Sequence, residues 1–257
     1  RLLLVPWPLV LSRDLAARDA AVQRHAGLLS QPGASLPLRL WLALHAANAS
    51  SEWAPWLACL PKDPGAGAPA LPLALAAQHS QALRGTALAV DARQLRERLW
   101  SEWHVLDRHM GAPLYGEADW SRWLWAQAVV STRSSSLETA HGVVECIVPV
   151  LDFANHSGAP NAAVAAAAEG VELVALRPIG PGEEVRISYG GHGADQFLFA
   201  FGFLPEEAPL EAVVAPLPPP ESPEAAELRR RLFGEGRPPL LRAGPGGFED
   251  LLHALGA

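Results

Sequence analysis

The chain has 257 residues, 49% of them hydrophobic, with a formal net charge of -7. That length can bury a full core as one domain or two, while the acidic balance argues against broad nucleic-acid binding. Two distant cysteines, Cys59 and Cys146, exclude a disulfide framework and a self-sufficient zinc site, and no apolar run of about eighteen residues offers a membrane span. Lys62 is the only lysine amid abundant Ala, Gly and Pro, which reads as compositional bias rather than chemistry. Both cysteines lie in apolar runs and are expected to be buried.

Arg1 to Leu11 reads as a short buried strand and turn, since Pro6 and Pro8 spoil the helical core of a signal peptide. Ser12 is placed to cap a helix from Arg13 to Leu29, broken by Pro32 and Gly33. Ser35 caps a second helix, Leu36 to about Ala47, with Leu38, Trp41, Leu42 and His45 on one face. Ser51 to Pro61 is a tryptophan-rich turn into a short helix, read as packing. Asp63 to Ala70, rich in Gly and Pro, reads as a mobile loop. Asp91 to Met110 is the longest helical pattern, with a stripe of Leu95, Leu99, Trp103 and Leu106. Asp119 caps a helix from Trp120 to Val130, whose tryptophans read as core.

The character changes at Ser131. Val143 to Leu151 reads as a strand, Ala162 to Ala168 and Val171 to Leu176 as a hairpin turning at Glu169-Gly170, and Val185 to Tyr189 as a strand closed by glycines. Asp195 to Ala200 is a short helix. Beyond Pro205 comes a proline-rich linker, then helical patterns at Glu224 to Phe233 and Phe248 to Leu255. Helices first and short strands later predict an α+β chain.

Two stretches carry the chemistry. The run Val148 to His156 ends in the polar cluster Asp152, Asn155 and His156, and the run Val185 to Tyr189 ends in a tyrosine. Two strand ends meeting over a pocket would place hydrogen-bonding groups on both sides. Asp152-Phe-Ala-Asn155-His156-Ser157, then Pro160-Asn161, Gly182-Glu183-Glu184-Val-Arg-Ile-Ser-Tyr189-Gly190 and Phe201-Gly202-Phe203 resemble the C-terminal half of a SET domain. The likeness is to the branch holding the RuBisCO large subunit methyltransferase and the actin-histidine methyltransferase.

The resemblance implies a knot-like SET β fold with residues 1–11 as the end of its N-terminal segment and 12–130 as a helical insertion. Residues 131–205 would be the C-terminal SET core, and 206–257 a linker with the start of a truncated helical substrate-binding domain. It implies methyl transfer from S-adenosylmethionine to a lysine of a protein substrate, with histidine as the alternative acceptor. Tyr189 would be catalytic, its hydroxyl orienting the target nitrogen; taken alone, a strand-end tyrosine is core or rim. Arg133 would reach the cofactor carboxylate; taken alone, it is equally a surface ion pair. Asn155 and His156 would bind the amino-acid part of the cofactor, or Asn155 would satisfy a local turn. Phe201 and Phe203 would frame the adenine or the lysine channel and Gly202 would allow close approach, though Phe197, Phe199, Phe201 and Phe203 as a bare pattern are core. Asp152 would face the substrate or cap its own turn. No metal is expected, because Asp152 and His156 lack a third ligand of clear spacing.

The chain departs from the family pattern where the Gly-x-Gly cofactor loop would lie upstream of Arg1, and in the Gly193-Ala194-Asp195-Gln196 stretch after Tyr189. A non-catalytic interaction module that keeps the fold therefore stays open, as does an unrelated α+β protein. A monomer is expected, with no nucleic-acid or membrane partner, inside the cell; chloroplast, cytoplasm and nucleus remain open.

Overall fold

Two short strands at the start of the chain are stitched into sheets whose other members come more than a hundred residues later. The computed structural model describes residues 1–27, 35–46, 48, 50–61, 87–110, 117–205, 212–213, 222–224, 227 and 241–242. β1 (Leu3–Pro6) and β2 (Leu11–Ser12) are separated by one 3-10 turn, Trp7–Leu9. The strands that receive them follow the helices: β3 (Ser134–Thr139), β4 (Gly142–Ile147), β5 (Asn155–His156), β6 (Ala162–Ala166), β7 (Gly170–Ala175) and β8 (Arg186–Ile187). β1 pairs antiparallel with β7, in a sheet of order β1-β7-β6, and β2 pairs antiparallel with β4, in a sheet of order β2-β4-β3. β5 and β8 form a parallel pair. A further pair joins Ala212–Val213 to Leu241–Arg242.

The expected hairpin is present with its turn one residue early. Gly170 already pairs with Pro6, and a Cβ there would meet the Val5 carbonyl oxygen at 2.1 Å. Only glycine allows that approach, so this residue serves the β1–β7 contact rather than the turn. β3 is a strand that sequence reasoning misses, because a run of serines carries little β propensity; pairing along the whole of β4 supplies what the side chains do not.

The helices are α1 (Arg13–Arg18), α2 (Ala20–Ala26), α3 (Leu36–His45), α4 (Ala54–Cys59), α5 (Ala87–Met110), α6 (Glu117–Arg133) and α7 (Ala194–Ala200). Ser12 caps α1 as its position suggests, accepting the Leu15 N–H at 3.0 Å. The single helix expected from Arg13 breaks at Asp19, whose carboxylate accepts the Ala21 and Val22 N–H groups and starts α2. Ser35 precedes α3 without capping it; its hydroxyl donates instead to Glu145 on β4 at 2.6 Å. α5 begins four residues before Asp91. α6 begins before Asp119, which lies inside its first turn, and runs three residues past Val130. The loop at Asp63 to Ala70, the proline-rich linker and the Phe248 to Leu255 helix lie outside the described residues, as does most of Glu224 to Phe233.

Two cores result. The helical one gathers Leu38, Trp41, Leu42, Leu99, Leu106 and Trp123 around α3, with Leu11 and Ile147 reaching in from the strands. The other packs Val5, Cys146, Leu151, Val171, Leu173 and Ile187 between the sheets. Each fully buried aliphatic side chain contributes about 1.5–3 kcal/mol, so the cores dominate what holds the elements together. Cys146 is buried, and burial with the neighbouring Glu145 charge pushes its thiol up to about 12. Cys59 is a correction: it ends α4 exposed, while Trp56 and Leu57 are the residues of that helix that pack against the core. Among the described residues, no helix is long and apolar enough to cross a membrane.

Candidate active site

The site forms where three elements end together. α6 terminates at Arg133, the 3-10 turn Leu151–Phe153 leads into β5, and β8 leads into Tyr189. Register holds them: Ser157 N–H donates to Ile187 O at 2.9 Å and Asn161 N–H to Arg186 O at 3.2 Å. The Asn161 side chain completes the lock. Its Nδ2 donates to Glu183 Oε1 at 3.0 Å and to Glu184 O at 2.8 Å, and its Oδ1 accepts the Arg186 N–H at 2.8 Å. Glu183 also takes the Arg177 guanidinium at 2.6 Å, and these donors, Arg177 first, hold its carboxyl down at about 2.

Two cavities flank this junction. One, of about 440 Å³, lies between α6 and the β5–β8 pair, with Trp125, Val129, Asn155, His156 and Phe203 on its wall. The other, of about 750 Å³, lies between β3 and β6 and is lined by Ser134, Ser135, Leu137, Ala162, Leu176 and Ile187. Thr132, Arg133, Asp152, Tyr189 and Phe201 line both. The smaller volume falls within the ~300–1,000 Å³ common for small-molecule sites.

Tyr189 sits at that shared wall. Its hydroxyl donates to the Ala154 carbonyl oxygen at 2.8 Å, which commits the proton and leaves the oxygen lone pairs as acceptors. Burial pushes the phenol up, the Asp152 and Glu184 charges add to that, and Arg133 opposes. The group is therefore a neutral phenol near neutral pH and a poor base. Around it stand Phe201 at 4.8 Å, His156 at 5.3 Å and Phe203 at 6.4 Å between ring centroids. His156 Nδ1 accepts the Tyr189 backbone N–H at 3.1 Å, so the neutral ring carries its hydrogen on Nε2.

Asp152 presents backbone, not carboxylate, to the cavities: its side chain is 0% exposed. Arg133 Nη1 donates to Asp152 O at 2.8 Å and to Oδ2 at 3.2 Å, and the guanidinium lies 5.5 Å from the Phe153 ring centre. A substrate contact through that carboxylate is thus closed off; its charged partner is Arg133. Asn155 Nδ2 donates to Glu184 Oε1 at 2.6 Å, leaving one amide hydrogen for another partner. Gly202 lines neither cavity. With φ of 78° its N–H closes α7 on Phe197 O and Leu198 O, the cap that turns the chain from Phe201 to Phe203. Among the described residues, no group of three His, Cys, Asp or Glu side chains could hold a metal ion.

The tryptophan-rich segment is more than packing. Trp56 Nε1 donates to Asp152 Oδ2 at 3.3 Å, and Pro61 lines the smaller cavity while its carbonyl accepts the Trp125 N–H at 2.5 Å. Sequence reasoning misses both residues; the one signal was the density of Trp and Pro between Trp53 and Pro61.

Val150, two residues before Asp152, holds φ 74° and ψ -45° and is exposed. A β-branched residue is strained there. Val150→Gly should stabilise the fold by about 1 kcal/mol, read as a Tm higher by roughly 2–4 °C; a lower Tm would mean the turn is unstrained.

The geometry can be set beside known proteins. The SET domain family matches residues 19–190. The SET domain-containing protein 8 of Schizosaccharomyces pombe is 27% identical over 195 residues, 75% of this chain and 43% of its own length. The actin-histidine N-methyltransferase of Danio rerio is 26% identical over 183 residues, 67% of this chain and 30% of its own. The chain thus spans less than half the length of these curated relatives. Among solved structures, Rubisco LSMT bound to AdoMet superposes with a TM-score of 0.64 at 17% identity, covering 92% of this chain and 54% of that one. The SET domain of LSMT bound to lysine and AdoHcy gives 0.59 at 19%, covering 78% and 46%. These likenesses agree with the α+β architecture expected from the sequence.

Proposed function

The chain belongs to the SET domain family, and on that premise we propose that it moves a methyl group from S-adenosylmethionine to a lysine side chain of a protein substrate. The observation that carries this reading is Tyr189 on the wall common to two cavities. Donor and acceptor can approach it from opposite sides. S-adenosylmethionine, when bound, supplies an electrophilic methyl on a sulfonium.

The residues of the smaller cavity suit that group. Arg133 offers a fork for its carboxylate, Asn155 an amide for its polar end, and Trp125, Val129 and Phe203 apolar walls for the rest. The larger cavity is walled by aliphatic and hydroxyl groups from Leu137, Leu176, Ile187 and the β3 serines. Such a wall fits the four-carbon stem of lysine and disfavours a charged ammonium, which lowers the amine pKa toward the neutral, nucleophilic form. Tyr189, its own proton held by Ala154, accepts a hydrogen bond from the amine and aims its lone pair.

Histidine as acceptor is the second reading, favoured by the named activity of two curated relatives. Calorimetry of S-adenosylmethionine on the full-length protein, then mass spectrometry of lysine- and histidine-bearing peptides, tests both. Saturable binding and a 14 Da gain on lysine (~14 Da per methyl group) is the expected result. The same gain on histidine would replace the acceptor and keep the reaction. No binding by folded protein would overturn the enzyme reading and leave an interaction module.

A further inference from the structure

We propose that Trp56 is a positioning residue of this site, its indole N–H steadying the buried Asp152 carboxylate that aims Arg133. The inference rests on the reading of Arg133 as the cofactor's carboxylate partner. Trp56 lies on α4, 96 residues before Asp152, and donates to Oδ2 at 3.3 Å. Arg133 approaches the same oxygen at 3.2 Å. The other oxygen, Oδ1, is buried and has no hydrogen-bond partner. The carboxylate's side-chain partners are therefore one cation and one neutral N–H, both on Oδ2, with the Val150 backbone N–H as a weaker third influence. An ionised carboxylate with 0% side-chain exposure needs more than that in most proteins.

Burial pushes the Asp152 carboxyl up, and Arg133, then the Trp56 bond, pull it back. The titratable groups facing it are Arg133 at the end of α6 and Tyr189 beyond β8; α4 contributes the indole without a charge. Removing the indole N–H lets the carboxyl keep its proton to higher pH. Arg133 then loses its charge partner and keeps only its bond to the Asp152 carbonyl oxygen at 2.8 Å, which loosens the aim that the smaller cavity requires. Trp56 is itself set by the helical core: it packs edge-on against Trp53 at 6.0 Å, and Trp53 against Trp41 at 5.3 Å. A residue of the helical segment thus governs the charge state of one in the β core.

Two measurements test this, on the full-length protein. In the ligand-free state, the Trp56 indole resonance in a proton–nitrogen NMR spectrum should titrate with Asp152, and Asp152→Asn should abolish that titration. Calorimetry should show Trp56→Phe binding S-adenosylmethionine roughly tenfold more weakly near neutral pH, with the acid-side loss of affinity moved to higher pH. Phenylalanine keeps most of the packing area, so a merely structural role would leave the pH profile in place. An indole resonance indifferent to Asp152→Asn, or a Trp56→Phe protein with unchanged affinity and profile, would overturn the proposal. Should even the unaltered protein fail to bind S-adenosylmethionine, the function reading falls, while the indole titration still decides the Trp56–Asp152 link.

Discussion

Arg39→Ala should destabilise the protein by about 3–5 kcal/mol, because it leaves a carboxylate buried without its counter-charge. Arg39 is 2% exposed on α3 and Glu102 6% exposed on α5, and their side chains pair in the middle of the helical core. The guanidinium also lies over the Trp123 ring at 5.0 Å. Burial pulls the Arg39 pKa down, and Glu102 restores part of it. Arg39 Nε and Glu102 Oε1 have no hydrogen-bond partner, so the pair is only partly satisfied even when intact. On a total stability of ~5–15 kcal/mol the loss is large, and thermal unfolding should show Tm lower by roughly 6–20 °C. Replacing both partners by methionine should recover most of it, since an apolar pair of similar volume removes both desolvation penalties. A single-variant loss below about 1 kcal/mol, within the range of exposed pairs, would mean that water reaches the pair.

That pair also shows where sequence reading stops. Leu38, Trp41 and Leu42 announce the buried face of α3 by their spacing, and all three are buried. Arg39 sits among them and reads as solvated, because periodicity counts charge as surface. Only the fold reveals that α5 brings Glu102 to it from 63 residues away. The same distinction runs through the candidate site. Tyr189, Asn155, His156, Arg133 and the Phe201–Phe203 pair were legible as a constellation because they fall in short ordered motifs. The structure brings all of these to the smaller cavity's wall. Trp56 and Pro61 were not legible as site residues, since their contacts with Asp152 and Trp125 join residues 96 and 64 apart in sequence. The serines of β3 were silent for another reason: their strand is defined by pairing with β4, a long-range fact that local propensity does not contain.

Tyr189→Phe should abolish most methyl transfer while leaving S-adenosylmethionine affinity nearly unchanged. The two effects separate because the hydroxyl and the ring have different neighbours. The ring packs against Phe201 and His156, and phenylalanine keeps those contacts, so the wall of the smaller cavity survives. The hydroxyl donates to Ala154 O and offers only its lone pairs to whatever enters from the larger cavity. Losing it costs one modest hydrogen bond in the fold, about 1 kcal/mol. In the reaction it removes the acceptor that holds the amine in line. Deleting one preorganised polar group of this kind lowers kcat by about 10²–10³-fold. A base would behave differently. Were Tyr189 a phenolate base, rate would rise with pH up to a phenol already pushed above its ordinary value by burial, and the wild-type profile would climb through the alkaline range. An orienting hydroxyl instead leaves the profile to the substrate amine. Single-turnover rates across pH, for wild type and Tyr189→Phe, distinguish the two. Parallel profiles offset by a constant factor are expected. Loss of cofactor binding in Tyr189→Phe would contradict the separation of ring and hydroxyl, and equal rates would remove Tyr189 from the chemistry altogether.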